Sequence, residues 1–142
     1  MQIERVKEID EKKLNAFQKF IPELTNEKDN TPTLKDLEKV VSSPNNHLLI
    51  VKEDDEIIGT LTLVFYKVPS GMKAWIEDIF VIDKARGKGV ATALVWHSLN
   101  IAKENGAEKV DLSSLPWREA ANRLYLKLGF EKRDTNMYRH YV

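Results

Sequence analysis

Hydrophobic and polar positions change rhythm several times along this chain, and each change predicts an element. Ile3 to Lys7 alternates, which predicts a short first strand. Leu14, Phe17, Phe20, Ile21 and Leu24 recur at helical spacing, and Pro22 is expected to end or kink that helix near Ile21. The polar stretch 25–32 (TNEKDNTP) reads as a loop. Thr33 followed by Asp36 marks the next helix start, with the hydroxyl capping a free backbone N–H; Leu34, Leu37, Val40 and Val41 supply the apolar stripe. Residues 42–46 (SSPNN) stop it.

Three strand candidates follow: His47–Lys52, Ile57–Val68 and Lys73–Ile82. They are divided by a charged turn at 53–56 (EDDE) and by Pro69-Ser70-Gly71, and β-branched and aromatic residues dominate them. After Asp83 the period is helical again. Val90, Ala91, Leu94, Val95, Ile101 and Ala102 line one side of a helix closed by Gly106, with Trp96 on the opposite side, where it is expected to cover a loop or a partner chain. Lys109–Leu112 predicts a short strand, and Ala121, Leu124, Tyr125 and Leu128 form the stripe of a last helix that Gly129 ends. Phe130–Arg133 and Met137–Tyr141 predict a final pair of strands. No internal repeat or linker interrupts this order, which fits one α+β domain over residues 1–142 with a mixed, mainly antiparallel sheet.

Composition removes several classes of function. Acidic and basic residues cancel, 22 against 22, and no basic stripe offers the phosphate neutralisation on which nucleic-acid binding depends. Without cysteine there is no disulfide, thiolate zinc site or cysteine nucleophile. The first residues carry charge where a signal peptide needs an apolar run, and no stretch approaches the roughly 20 apolar residues of a membrane span, so a cytoplasmic protein is expected. His47, His97 and His140 are scattered, and no metal is expected. Ser113 and Ser114 lack a histidine and an acid at a recognisable spacing, which disfavours a serine hydrolase. Trp117 is expected to pack, with the mouth of a site as the alternative.

The informative segment runs from Val81 to Ala91 (VIDKARGKGVA): a strand ends, a turn carries Gly87 and Gly89, and a helix begins at Val90. Backbone N–H groups in the first turn of a helix lack intrahelical partners, and the helix dipole adds positive potential there. Glycines keep side chains away from those groups, so the turn suits a pyrophosphate, with Arg86 and Lys88 able to add charge. Taken alone the spacing fits equally well a solvent-exposed turn that needs glycine for its dihedrals.

Two further segments accompany it. Arg86-x-x-Gly89-x-Ala91 resembles the acyl-CoA-binding motif of the GCN5-related N-acetyltransferase (GNAT) family, with Ala91 where many members carry glycine. The run 122–130 (NRLYLKLGF) resembles the family's second motif, and 75–81 (WIEDIFV) its central strand. The resemblance covers roughly His47 to Arg139; before His47 it is one of element order only. It implies the acyl-CoA N-acyltransferase fold, with helices on both faces of the sheet, and acetyl-CoA as co-substrate. It also implies transfer to a primary amine of a small molecule or protein by direct attack in a ternary complex. Ile79, Phe80, Val81, Arg86, Gly87, Lys88, Gly89, Val90, Ala91, Asn122 and Tyr125 would bind the coenzyme. Glu77 would accept the amine's proton, Tyr125 would protonate the leaving thiolate, and a backbone N–H near Phe80 would meet the developing oxyanion.

The residues support this chemistry on their own terms. An alkylammonium with a pKa near ~10.4 is almost wholly non-nucleophilic at neutral pH, so a proton acceptor helps. Glu77 and Asp78 sit mid-strand, and alternation sends them to opposite faces, leaving at least one carboxylate half-buried. An ion pair with a Lys or Arg is the competing reading for either. Tyr125 lies on an apolar stripe where tyrosines commonly pack, and Asn122 is one turn earlier on the same face. The rival functions are a non-catalytic acetyl-CoA sensor and a nucleotide-phosphate binder of another fold, although the latter lacks the Lys-Ser/Thr pair of a P-loop. A homodimer is compatible with either enzyme or sensor.

Overall fold

The computed structural model describes all residues, Met1–Val142, and they form two compact units, Met1–Leu112 and Ser113–Val142. In the first unit, strand β1 (Gln2–Arg5) leads to helices α1 (Glu11–Thr25) and α2 (Leu34–Ser42), then to strands β2 (Asn46–Glu53), β3 (Glu56–Val68) and β4 (Gly71–Val81). A short 3₁₀ turn (Asp83–Ala85), helix α3 (Val90–Glu104) and strand β5 (Val110–Asp111) complete it. The five strands stand in chain order; all neighbours are antiparallel except β4 and β5, which are parallel. This is the mixed α+β sheet the sequence predicts.

The elements form for local reasons. Thr33 accepts a hydrogen bond from the Asp36 N–H at 3.1 Å while the Asp36 carboxylate accepts one from the Thr33 N–H at 2.9 Å, so two otherwise orphaned donors are satisfied reciprocally. Asp10 caps α1 through the Lys13 N–H. The turn between β2 and β3 uses Asp54 and Asp55, both with positive φ, the backbone a tight two-residue hairpin requires. Lys12 of α1 pairs with Asp55 at 2.9 Å and also donates to its carbonyl.

Each face of the sheet buries different residues. Leu48 and Ile50 of β2 and Phe80 of β4 form one cluster with Val6, Phe17 and Phe20 of α1, Leu37 of α2 and Ile57. Phe80 packs on Phe20 with centroids 5.0 Å apart. On the opposite face, Gly59 of β3 lies under α3: a Cβ there would stand 3.1 Å from Val90 and 3.2 Å from the Phe80 carbonyl. The missing side chain lets the start of α3 settle on the sheet, where Val90, Leu94, Val95 and Ser98 are buried.

Three expectations are corrected. Pro22 does not end α1 at Ile21: the helix continues through it to Thr25, since Pro22 occupies the last turn, where one lost N–H bond costs little, and Asn26 in the left-handed region ends the helix. Residues 130–142 form no strands. Residues 131–142 are exposed throughout, and their alternation finds no neighbouring strand with which to exchange backbone bonds. In the second unit helix α4 spans Glu119–Lys127, and Trp117 just before it is 72% exposed instead of packed.

Candidate active site

The site is built on the last third of β4. Against β3, Phe80 stands opposite Thr60 and Glu77 opposite Thr62, so Asp78 and Ile79 together face Leu61. That extra residue is a β-bulge, and Asp78 takes the strain with φ of 49°, in the left-handed region. Asp tolerates this conformation better than most residues but strands seldom carry it, which is the signal in the sequence that plain alternation passes over.

On its other edge β4 pairs with β5 only at Ala74–Val110 and Trp75–Asp111. From Ile76 to Val81 that edge has no strand beside it. Glu77, the bulge and the backbone of Ile79, Phe80 and Val81 thus border an opening between two strands that begin as neighbours. Phe80 is only 6% exposed and its ring belongs to the core, so its backbone alone is available at the opening.

Glu77 and Asp78 are both exposed, which corrects the expectation that one of the two carboxylates is half-buried; the register still sets them toward opposite faces, Glu77 with Thr62 and Asp78 with Leu61. Their pKa values are nonetheless raised. For Glu77 the first cause is partial loss of hydration and the second the neighbouring Asp78 charge, opposed by a smaller effect of the Trp75 side chain. For Asp78 the cause is lost hydration. Neither residue takes part in any ion pair of the chain, so the structural reading of them as partners of Lys or Arg fails.

Beyond Val81 the chain makes a single 3₁₀ turn and reaches Arg86. This side chain is tied down: its Nη1 lies 2.7 Å from Asp83, its Nε donates to the Val81 carbonyl at 3.0 Å, and its guanidinium sits 5.9 Å from the Phe80 ring centre. Arg86 therefore fastens the turn to the end of β4. Gly87 and Gly89 follow with φ of 75° and 83°, and a Cβ on either would meet nothing within 4 Å. Gly89 is the N-cap of α3, which has no side-chain cap and no acidic residue in its first turn. The free N–H groups at that helix start and the open space over both glycines fit an anionic phosphate group. A cleft of about 370 Å³ beside the turn is less suited to one, because Glu53, Asp54 and Glu56 line it together with Lys84 and Lys88. Val90 is buried against Gly59 and Ala91 is half-buried, which leaves mainly their backbone to face the turn.

Asn122 and Tyr125 belong to the second unit. The Asn122 amide donates to the Leu115 carbonyl at 3.0 Å, a bond that fastens the loop before α4. Tyr125 is 8% exposed, and burial raises its pKa against a smaller opposing effect of Arg118, so its hydroxyl keeps its proton. His47 is buried in β2 against Phe65, a packing position.

Comparison with known proteins adds the family. The acetyltransferase (GNAT) family profile matches residues 11–130. N-alpha-acetyltransferase 30 of Schizosaccharomyces pombe is 34% identical over 71 residues, which are 50% of this chain and 47% of that protein. The chain thus spans about half the length of this curated relative. Among solved structures, an aminoglycoside acetyltransferase from an uncultured soil metagenome, in complex with sisomicin, superposes with a TM-score of 0.86 at 19% identity over 99% of this chain and 95% of that one. A predicted acetyltransferase with acetyl-CoA from Clostridium acetobutylicum does so at 0.75 and 20% identity, over 98% and 96%. These likenesses show a shared fold, and with the profile match across most of the chain they establish that this protein belongs to the acetyltransferase (GNAT) family.

Proposed function

We propose that this protein transfers an acetyl group from acetyl-CoA to a primary amine by direct attack, with both substrates bound together. One observation carries the reading: β4 runs from Glu77 through a bulge on an open strand edge straight into a glycine turn and an uncapped helix start. A phosphate-binding end and a proton acceptor are thereby held on one rigid stretch of backbone. Gly87, Lys88, Gly89, Val90 and Ala91 hold the pyrophosphate by backbone N–H groups, and Arg86 keeps their turn in place. Ile79, Phe80 and Val81 offer backbone groups to the pantetheine arm along the open edge. Asn122 is assigned to the coenzyme by its motif alone.

Acetyl-CoA supplies the activated acyl group as a thioester. Glu77 takes a proton from the ammonium, directly or through a water, and its raised pKa makes it a stronger acceptor than an ordinary carboxylate. The amine nitrogen bonds to the acyl carbon as the carbon–sulfur bond breaks, the thiolate takes its proton from the Tyr125 hydroxyl, and the second proton that the nitrogen sheds on becoming an amide returns to the tyrosinate by way of solvent. A backbone N–H near Phe80 opposes charge that grows on the acyl oxygen. Much of the rate comes from holding the reactants in line.

We take Met1–Val142 as one N-acetyltransferase domain, since the family match runs through both compact units. Calorimetric titration with acetyl-CoA, and separately with ATP, combined with thiol release over a panel of amines, tests the proposal. Acetyl-CoA binding with amine-dependent thiol release supports it. Binding without release on any amine, including peptide N-termini and lysines, indicates the sensor, and ATP competing with coenzyme A indicates the nucleotide binder.

A further inference from the structure

Val81, the last residue of β4, stands opposite Gly59 of β3. The Ile82 N–H donates to the Ile58 carbonyl at 3.0 Å, so Val81 and Gly59 are a non-hydrogen-bonded pair. Residues of such a pair turn their N–H and C=O away from each other. Those of Val81 therefore face the edge of β4 that β5 leaves open. One of the two groups opposes acyl transfer there. A carbonyl with its negative end toward the opening repels charge that grows on an acyl oxygen, whereas an N–H attracts it. Arg86 removes the conflict, because its Nε donates to the Val81 carbonyl at 3.0 Å. The guanidinium is held in this position from two other sides. Its Nη1 lies 2.7 Å from Asp83, and the Phe80 ring stands 5.9 Å away, itself packed on Phe20. The Arg86 and Asp83 side chains are 56% and 80% exposed, so their ion pair alone would add little. A planar fork that meets a carbonyl, a carboxylate and a ring together is better fixed, since each contact selects the orientation that the others need.

We infer that Arg86 is a positioning residue for the acyl group: it caps the Val81 carbonyl and leaves the Val81 N–H as the group that the end of β4 presents to the acyl oxygen. The inference rests on the proposed transfer from acetyl-CoA, in which a backbone N–H near Phe80 opposes the developing charge. It gives Arg86 a task at the acyl end of the coenzyme, distinct from adding charge beside the pyrophosphate. The two tasks need different atoms. Charge beside a phosphate can come from any cation, and a lysine supplies it as a single point. Capping the carbonyl needs an N–H donor on the atom bonded to Cδ. Arginine and glutamine both carry nitrogen at that position, and lysine carries carbon.

Wild type, Arg86→Lys and Arg86→Gln are compared for kcat on one accepted amine and for acetyl-CoA affinity by calorimetry, with melting temperature as a control. Arg86→Lys keeps the charge and loses the cap. Its kcat is expected to fall about tenfold, with acetyl-CoA affinity within about twofold of wild type. Arg86→Gln keeps the cap and loses the charge, and its kcat is expected to stay within about threefold of wild type even where its acetyl-CoA affinity falls. The two variants thus rank oppositely in turnover and in affinity. If Arg86→Lys turns over like wild type, the carbonyl contact is idle and the inference falls alone. Equal losses of turnover in the two variants mean that Arg86 merely holds the turn together, which also overturns it. A wild-type protein that binds acetyl-CoA yet releases no thiol with any amine defeats the transfer reading, and the inference falls with it.

Discussion

The rings of Tyr125 and Phe130 meet edge to face across the end of α4, with centroids 5.9 Å apart and planes at 63°. The backbone brings them together: the Phe130 N–H donates to the Tyr125 carbonyl at 3.0 Å and the Gly129 N–H to the Leu126 carbonyl at 3.1 Å. This paired closure habitually brings apolar side chains from the two sides of a helix end into contact. The place of the Tyr125 ring is therefore set by how the helix ends, and its hydroxyl is not needed to hold it there.

That separation makes Tyr125→Phe informative. Ring, contact and helix end survive, so the melting temperature and acetyl-CoA affinity should hardly change. Turnover should fall by about 100-fold, the usual loss when a general acid is removed. Wild-type turnover in a normally folded variant would return Tyr125 to a purely structural role.

Glu77→Gln should act in opposite directions on activity and stability. Near neutral pH it should slow turnover, and the deficit should shrink at high pH, where the amine is already deprotonated. The folded state raises the pKa of Glu77, so folding favours its protonated form. That contribution is complete below the unfolded pKa of about 4 and is lost as pH rises through the folded value, leaving the ionised carboxylate unfavourable at pH 7. Gln removes the charge, so melting temperature should rise at pH 7 and match wild type near pH 3. Thermal melts at the two pH values check the sign; a variant less stable than wild type at pH 7 contradicts it.

Gly89 separates backbone strain from ligand binding. Because space over it is open, Gly89→Ala should cost only what a left-handed alanine costs, about 1–2 kcal/mol. Gly89→Asp should be tolerated at least as well by the fold, since Asp enters this region more readily. It also sets a negative charge at the start of α3, where the phosphates are proposed to bind. Calorimetry should find the Asp variant far weaker than the Ala variant for acetyl-CoA; equal affinities would move the phosphate site elsewhere.

The bulge can be tested at Asp78, whose φ of 49° suits glycine and asparagine. Asp78→Gly should match or exceed wild-type stability, having removed both the strained side chain and a desolvated charge. Asp78→Val should lose about 1–2 kcal/mol or more, since a β-branched residue resists the left-handed region. Denaturant unfolding of the two variants gives the comparison, and a stable Val variant would mean that the bulge can be ironed out.

Local chemistry in this chain was readable without coordinates. Thr33 and Asp36 announce a helix start because both partners of the capping box lie three residues apart. Gly87, Gly89 and the helical period from Val90 likewise announce a strand-to-helix glycine turn within ten residues. The order of elements from Ile3 to Leu128, and the resemblance built on 75–81, 86–91 and 122–130, follow from the same short-range patterns. Pro22 and residues 130–142 read wrongly for the complementary reason. A proline in the last turn of α1 forfeits one bond that the helix can spare. Alternation in the last residues specifies only a strand's faces and cannot supply the neighbour that makes it a strand.

The bulge at Asp78 and the open edge beside Ile76–Val81 were decided by tertiary structure. A bulge exists only as a count of two residues against one, so it needs the register of β3 against β4 before it has any meaning. The open edge arises because β5 pairs with β4 at two positions and no more. The sequence by itself therefore determined the order of elements and the family motifs, and with them which residues are candidates for the site. How Glu77 is oriented, desolvated and left without a cation was fixed by strands that lie far apart in the chain, because register and strand pairing are long-range properties.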